Sequence, residues 1–362
     1  MKLPHSLALA SVVGVLALVA PAQASPPCYL AFVHGSGDDL HDVPQGEVSA
    51  EIDRYWQPDG RGDASFITGA EQSAGCVVWR IGYDGNQQWW SDRAAGKVAA
   101  SLHDFIDQYG IADGALTIVG HSMGGVVARY VVNSGSPSAP YYNEYIGWDP
   151  RMDYDLVRRK TGRIITVQSP HVGTQSADAL FGRADHRVTN AGASLIKIMG
   201  WREITNATGV MTRPYMEAAG ARGGEMGDEG REVPLYTVAG YDSGDASGAG
   251  MDDDGKLDLA WVLLCYKRGA SNSWGAACRW DVWNFETVGG DGLVERVSAH
   301  GLWLRGSANG APGIFGARQP WLDVVQNHNQ GRYNLLAGNI WNFPEQSATI
   351  DRLGSYIGSH LP

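Results

Sequence analysis

Gly120-His121-Ser122-Met123-Gly124 places a serine between two glycines, directly after an apolar run and before a helical pattern. A nucleophile elbow requires this strand–turn–helix setting, because only small neighbours leave room for the sharp turn that exposes the serine hydroxyl. The helix that follows directs its first N–H groups toward negative charge developing at the site. The pattern therefore predicts Ser122 as the nucleophile of an acyl-transfer reaction. A glycine-rich corner with no catalytic role is the plain alternative.

A second candidate part of the same site is Val33-His34-Gly35-Ser36-Gly37, at the end of an earlier apolar run. An oxyanion hole needs a backbone N–H in addition to the one that follows the nucleophile, and a His-Gly turn brings the chain close to the substrate carbonyl. We expect the N–H groups of Ser36 and Met123 to bind the oxyanion. His34 is expected to stabilise the turn rather than to act as a base.

A catalytic serine also needs a base that accepts its proton and an acid that fixes the tautomer of that base. In a fold with this elbow, the order along the chain is serine, acid, histidine. The candidate acids are Asp242, Asp245 and Asp291, and the candidate bases are His300 and His328. Asp291 is favoured because glycines on both sides permit a tight turn, although an ordinary surface turn has the same composition. His328 is favoured because it follows a separate apolar run.

Taken together, these motifs resemble those of the bacterial lipases and esterases of the α/β-hydrolase superfamily. Gln168–Thr174 (QSPHVGT) is similar to the family's TPH-x-G-[ST] segment. Asp291–Val294 (DGLV) is similar to the segment that bears the catalytic acid of the family, and Asn327-His328 to the pair that bears its base. The resemblance implies a triad of Ser122, Asp291 and His328 that cleaves carboxylic esters through an acyl-enzyme intermediate. A polyester depolymerase or another acyl hydrolase with the same triad is the alternative, and a non-catalytic binding protein is least favoured.

This chemistry requires no cofactor, and no metal site is predicted. Asp252–Asp258 (DDDGKLD) has carboxylates of the kind that bind calcium, but it lacks the twelve-residue loop pattern and its terminal glutamate. A solvated acidic loop is therefore favoured for this run. Many lipases of the family hold calcium with an aspartate two residues after the catalytic histidine, and that position is Gln330 here. Calcium is therefore not supported at that position.

Short β-rich apolar runs alternate with helical patterns along the chain, which predicts a mostly parallel sheet with helices on both faces. Strands are predicted at Tyr29–Val33, Val77–Ile81, Ala115–Val119, Ile164–Val167 and Leu235–Ala239, and helices at 98–109, 126–132 and 350–357. With the elbow, these elements predict an α/β-hydrolase fold with one catalytic domain over residues 25–362. Residues 175–232 are predicted to form a lid or cap insertion, and residues 242–286 a second insertion.

The N-terminus predicts export. The positive residue Lys2 is followed by the apolar run Ser6–Ala20 and by Ala22-Gln23-Ala24, which fits an A-x-A cleavage site. Together they predict a signal peptide over residues 1–24. The protein is therefore expected to be secreted, extracellular or periplasmic, with no transmembrane anchor after processing. An oxidising compartment permits disulfides. Of the three possible connectivities, Cys28–Cys76 and Cys265–Cys278 are favoured, because the first pair opens two strand-like runs and the second closes a short loop.

The charge balance limits the partners. A net charge of −11 argues against nucleic acid and offers no basic patch for anionic lipid. The expected partner is an ester substrate, either in solution or at a lipid–water or polymer interface.

Overall fold

The computed structural model describes residues 28–56, 67, 71, 76–134, 149–174, 176–177, 205–212, 215–216, 233–241, 294, 296–299, 301 and 321–325. Its strands are β1 (Tyr29–Val33), β2 (Val77–Ile81), β3 (Leu116–His121), β4 (Thr161–Val167), β5 (Leu235–Tyr241) and β6 (Trp321–Val325). Its α-helices are α1 (Gln45–Tyr55), α2 (Lys97–Tyr109), α3 (Met123–Ser134), α4 (Tyr154–Lys160), α5 (Asn206–Val210) and α6 (Arg296–Ala299), and a π-helical turn, Asp92–Gly96, precedes α2.

The six strands form one sheet in the order β2-β1-β3-β4-β5-β6, and every neighbouring pair is parallel. Successive side chains of a strand point to opposite faces, so a parallel sheet covered on both faces needs apolar residues at nearly every position. Strand β1 shows this directly: Leu30 and Phe32 belong to one buried cluster with α1, whereas Ala31 and Val33 belong to another with α2 and α3. The site is therefore built on a sheet that is packed on both sides.

The predicted fold class is confirmed, and the predicted strands match closely. Strands β1 and β2 have the predicted bounds, β3 extends to His121, β4 begins at Thr161 and β5 continues to Tyr241. Strand β6 and helices α1, α4, α5 and α6 were not predicted. Helix α1 buries only Val48 and Ile52 within a largely polar segment, so its apolar periodicity is weak. The predicted C-terminal helix at 350–357 lies outside the described residues.

Cys28 and Cys76 form a disulfide between the residues that immediately precede β1 and β2, with their Cα atoms 4.7 Å apart. The parallel register pairs Tyr29 with Val77, which places the two cysteines side by side. This is the expected pairing. Cys265 and Cys278 lie outside the described residues, and their disulfide stays a prediction.

Peptide mapping without reduction should find both predicted disulfides. The Cys28–Cys76 bridge closes a loop with a sequence separation of 48 residues. By the chain-entropy estimate, such a bridge contributes about 4 kcal/mol to the free energy of unfolding. A Cys28→Ser, Cys76→Ser double variant should therefore unfold at a clearly lower urea concentration. A peptide joining Cys28 to Cys265 or Cys278 would contradict the pairing.

The described part of the predicted cap insertion is docked onto the domain. The N–H of Ala207 in α5 donates to the carbonyl of Asn86 at 3.0 Å, and the N–H of Thr174 donates to the carbonyl of Met211 at 3.0 Å. The side chain of Thr205 caps α5 by accepting the N–H of Thr208. The rest of residues 175–232 and all of 242–286 lie outside the described residues, so a moving lid stays a prediction.

The predicted signal peptide also lies outside the described residues. None of the helices that the structure describes is both long enough and apolar enough to span a membrane.

Candidate active site

Ser122 occupies the turn between β3, which ends at His121, and α3, which begins at Met123. Its φ angle is 54°, in the left-handed region that non-glycine residues adopt at a cost. The N–H of Ser122 donates to the carbonyl of Val167 at 2.9 Å, which fixes the turn to the end of β4. Strain of this kind is typical of functional sites, where the surrounding structure enforces it. The predicted nucleophile therefore lies on a strained strand-to-helix turn.

The glycines around Ser122 allow the elbow to pack against its neighbours. A Cβ on Gly124 would overlap the carbonyl oxygen of His34, and a Cβ on Gly120 would lie 2.6 Å from the Cα of Gly125. Both contacts are with backbone atoms, which cannot rotate away as a side chain would. The close approach of Gly124 to His34 places the first turn of α3 against the turn that follows β1.

Gly124→Ala should lower kcat/KM at least about tenfold, because the added methyl group forces the elbow away from the turn after β1 and displacements near 1 Å can be this costly. Overpacking should also lower the free energy of unfolding by about 1–3 kcal/mol. Gly46→Ala is the matched control, since a Cβ on Gly46 in α1 meets no atom within 4 Å. Ester hydrolysis and thermal unfolding measure both effects. Equal activity of the two variants would contradict the packing argument.

The turn after β1 lies directly beside the nucleophile. A Cβ on Gly35 would be 2.9 Å from the Cβ of Ser122. The N–H of Gly35 donates to the Tyr55 hydroxyl at 2.8 Å. The N–H groups of Ser36 and Met123, the two predicted oxyanion donors, make no hydrogen bond within the described part of the chain. The structure thus brings the two predicted donor segments together at Ser122.

His34 is buried in this turn. Its Nε2 accepts the N–H of Tyr83 at 3.2 Å, and its ring stacks on the Tyr83 ring with centroids 4.2 Å apart. Burial lowers the pKa of His34 to about 4, although Asp38 and Asp84 act in the opposite direction. His34 is therefore neutral at neutral pH and serves as an acceptor that braces the turn.

The free energy of unfolding should fall as the pH is lowered, in part through His34. Because its pKa is about 4 in the folded protein and near 6.5 when unfolded, the unfolded chain binds more protons between these values. Above the pKa of the unfolded state, His34 is neutral in both states and the free energy of unfolding is not reduced. As the pH falls toward the pKa of the folded state, protonation of His34 stabilises only the unfolded chain, so the free energy of unfolding decreases. The loss between about pH 7 and about pH 4.5 is on the order of 2 kcal/mol.

Urea unfolding at the two pH values measures this effect. The difference in the free energy of unfolding between the two pH values should shrink in His34→Asn, which has no imidazole to protonate. Gly46→Ala, which changes no ionisable group and adds a methyl where no atom lies within 4 Å, should keep the wild-type difference. If His34→Asn retained the full wild-type difference, the buried imidazole would not be its source.

Two further histidines near the elbow are buried and bonded to other side chains. Nδ1 of His121 lies 2.6 Å from the Tyr55 hydroxyl, below Ser122. Nε2 of His171 lies 3.0 Å from Oγ1 of Thr166, and Arg129 donates to its Nδ1 at 3.3 Å. These contacts give both histidines a structural role in holding the elbow and the end of β4.

The other predicted site residues lie outside the described residues: Asp242, Asp245, Asp291, His300, His328 and Gln330, together with the acidic run Asp252–Asp258. Within the described part of the chain, no group of three or more histidine, cysteine, aspartate or glutamate side chains is placed to hold a metal ion. The expectations of no metal site and no cofactor stay predictions.

The described residues nearest Asp291 are nevertheless docked close to the sheet. Val294 is buried in one cluster with Ala239 of β5 and Ala299 of α6. The hydroxyl of Ser298 accepts the N–H of Val172 at 3.3 Å and donates to the carbonyl of Gly173. Val294 therefore packs against β5, and Ser298 is bonded to the loop after β4.

The carboxyl ends of all six parallel strands lie at one edge of the sheet. Ser122 follows β3 there, the His34–Gly35 turn follows β1, and β6 ends at Val325, three residues before His328. Sequence reasoning did not find Tyr55, Tyr83 or Ser298, whose hydroxyls hold the loops at this edge. Their sequence neighbours contain no motif that could have indicated them.

Comparisons with known proteins agree with this geometry. Residues 91–191, which include the elbow, match a family model described as "Putative serine esterase (DUF676)". No curated protein sequence matches the chain.

Several solved structures share the fold. Staphylococcus hyicus lipase is 14% identical, with a TM-score of 0.51 over 94% of this chain and 97% of its own. Lipase 1 from Pelosinus fermentans is 14% identical, with a TM-score of 0.52 over 91% and 98%. EstA from Clostridium botulinum is 13% identical, with a TM-score of 0.51 over 91% and 87%. The chain therefore has the α/β-hydrolase fold, and the segment that carries its nucleophile elbow matches a serine esterase family.

Proposed function

We propose that this protein is a secreted carboxylic ester hydrolase that acts through an acyl-enzyme intermediate on Ser122. The observation that supports this most strongly is the strained Ser122 turn, held against a second turn whose Ser36 N–H has no hydrogen bond within the described residues. A nucleophile and two backbone donors at one point are what acyl transfer requires. The match of residues 91–191 to a serine esterase family gives independent support.

In the proposed reaction, Oγ of Ser122 attacks the ester carbonyl while His328 takes its proton. The N–H groups of Ser36 and Met123 stabilise the negative charge on the carbonyl oxygen. His328 then returns the proton to the leaving alcohol, and a water molecule releases the acyl group by the same steps. Asp291 orients His328 and stabilises its protonated form. The reaction needs no cofactor, so dialysis against a chelator should leave the activity unchanged.

The assignment of acid and base rests on the topology. Strand β6 ends at Val325, at the edge of the sheet where Ser122 lies, and His328 comes three residues later in the sequence. Three residues of extended chain span at most about 10 Å, so His328 can lie no farther than that from the end of β6. Asp291 precedes buried Val294 by three residues, and Val294 packs against β5. Asp242, which follows the last residue of β5, is the alternative acid.

The Cys28–Cys76 disulfide supports the proposed export, because disulfides persist in oxidising compartments. Ester substrates agree with the lipases among the structural relatives, although a shared fold serves many acyl transfers. A polyester depolymerase that uses the same triad is the second candidate.

Labelling with a fluorophosphonate probe tests the proposal at its first step, since the probe modifies only an activated serine. Rapid labelling of Ser122 is the expected result. A series of soluble and emulsified esters of increasing acyl length then separates the classes. A lipase should accelerate at the interface, a plain esterase should not, and a depolymerase should release monomers from a polyester film. Absence of labelling in the folded protein would refute the proposal.

A further inference from the structure

We propose that Tyr83 and Tyr55 are positioning residues that fix the direction of the Ser36 N–H before substrate arrives. This inference rests on the proposed function, because Ser36 is the proposed oxyanion donor. The proposal names neither tyrosine as a group that touches substrate. Each holds the backbone that does.

The argument for Tyr83 depends on the planarity of the peptide unit. The carbonyl of Gly35 and the N–H of Ser36 belong to one peptide, in which they point in opposite directions. The Tyr83 hydroxyl lies 3.1 Å from the Gly35 carbonyl oxygen and donates to it. Fixing this carbonyl therefore fixes the opposite direction, along which the Ser36 N–H points.

The preceding peptide is held at both ends. Its carbonyl, from His34, accepts from the same Tyr83 hydroxyl at 2.9 Å, so the two carbonyls share the single proton of that hydroxyl. Its N–H, from Gly35, donates to the Tyr55 hydroxyl at 2.8 Å. Two consecutive peptides of the turn are thus bonded to two tyrosines from different elements. Of the four polar groups of these two peptides, only the Ser36 N–H makes no hydrogen bond within the described part of the chain.

Tyr55 also connects the turn to the nucleophile. Its hydroxyl lies 2.6 Å from Nδ1 of His121, the residue before Ser122. One hydroxyl from the last residue of α1 therefore contacts both segments that form the site. This arrangement keeps the Ser36 donor in register with Ser122.

The surroundings of Tyr83 make its position well defined. The side chain is fully buried, its ring stacks on His34, and Asp84 beside it accepts from Arg93 at 3.0 Å. Gly85 bonds to the turn as well, since its N–H donates to the carbonyl of Asp38 at 2.7 Å. Preorganised donors of this kind cost no rearrangement when negative charge develops, which is the physical basis of oxyanion stabilisation.

The test compares Tyr83→Phe and Tyr55→Phe in the otherwise unchanged protein. Each change removes one hydroxyl and keeps the ring. For Tyr83→Phe, kcat on a soluble chromogenic ester should fall about tenfold to hundredfold, with KM changed less than about threefold. The inhibition constant of an alkylboronic acid, whose serine adduct places an oxygen in the oxyanion hole, should rise by a similar factor. Tyr55→Phe should behave alike, with a smaller effect.

Tyr154→Phe is the matched control. It removes a buried hydroxyl from α4, away from the turn, and should keep kcat within about twofold. Thermal unfolding checks that each variant is folded. If Tyr83→Phe does not fold, the comparison of Tyr55→Phe with the wild-type protein tests the proposal.

A normal kcat in the folded variants, or a lower kcat with an unchanged boronate constant, would overturn the positioning role. Failure of the wild-type protein to react with a fluorophosphonate would instead refute the proposed function, so the two failures are distinguishable.

Discussion

Ser122→Ala should lower kcat for ester hydrolysis by about 10⁶, because the acyl-enzyme cannot form without the hydroxyl. The fold should be unaffected. Alanine keeps the Cβ of serine, so at a φ of 54° it has nearly the same backbone strain. The N–H of residue 122 still donates to the carbonyl of Val167, because that bond is made by the backbone.

Ser122→Gly provides a control that separates strain from chemistry. Glycine adopts a positive φ without steric cost, so this variant should be equally inactive and should unfold at no lower temperature than Ser122→Ala. Initial rates with a soluble ester and fluorophosphonate labelling measure the loss of function. A purified Ser122→Ala protein that retained a tenth of wild-type activity would end the serine hydrolase proposal.

Five of the six strands could be predicted because each is a short, mostly apolar run that is followed by turn-forming residues, whereas β6 was not among the predicted strands. The elbow could be predicted because its glycines are demanded by backbone contacts, such as that of Gly124 with His34. The local sequence therefore carries both signals. Chain order then supplied the candidate acids and bases, without deciding among them.

The hydroxyls that hold the site could not be predicted in the same way. Tyr55 and Tyr83 are 20 and 48 residues from Gly35 along the chain, and each reaches the turn only after its own element has packed. Ser298 contacts Gly173 across a separation of 125 residues. A single tyrosine or serine has no periodicity or spacing that would indicate such a long-range partner.

His328→Ala should lower kcat about as far as Ser122→Ala, whereas His300→Ala should lose less than about tenfold. The expectation follows from where the chain enters the site. Strand β6 ends at Val325, beside β5 and parallel to it, so His328 is reached from the edge that carries Ser122. Proton transfer requires the imidazole to come within hydrogen-bond distance of the serine hydroxyl.

His300 is reached by a different route. It follows α6, which is held by the bonds of Ser298 to Val172 and Gly173, and Gly301 turns the chain with a φ of 66°. The docked helix α6 therefore lies between Asp291 and His300 in the sequence, and we expect it to keep this acid and His300 from meeting at Ser122. Rates for the three alanine variants, each checked for folding, decide the matter. An inactive His300→Ala beside an active His328→Ala would replace the proposed base and make Asp242, at the end of β5, the better candidate for the acid.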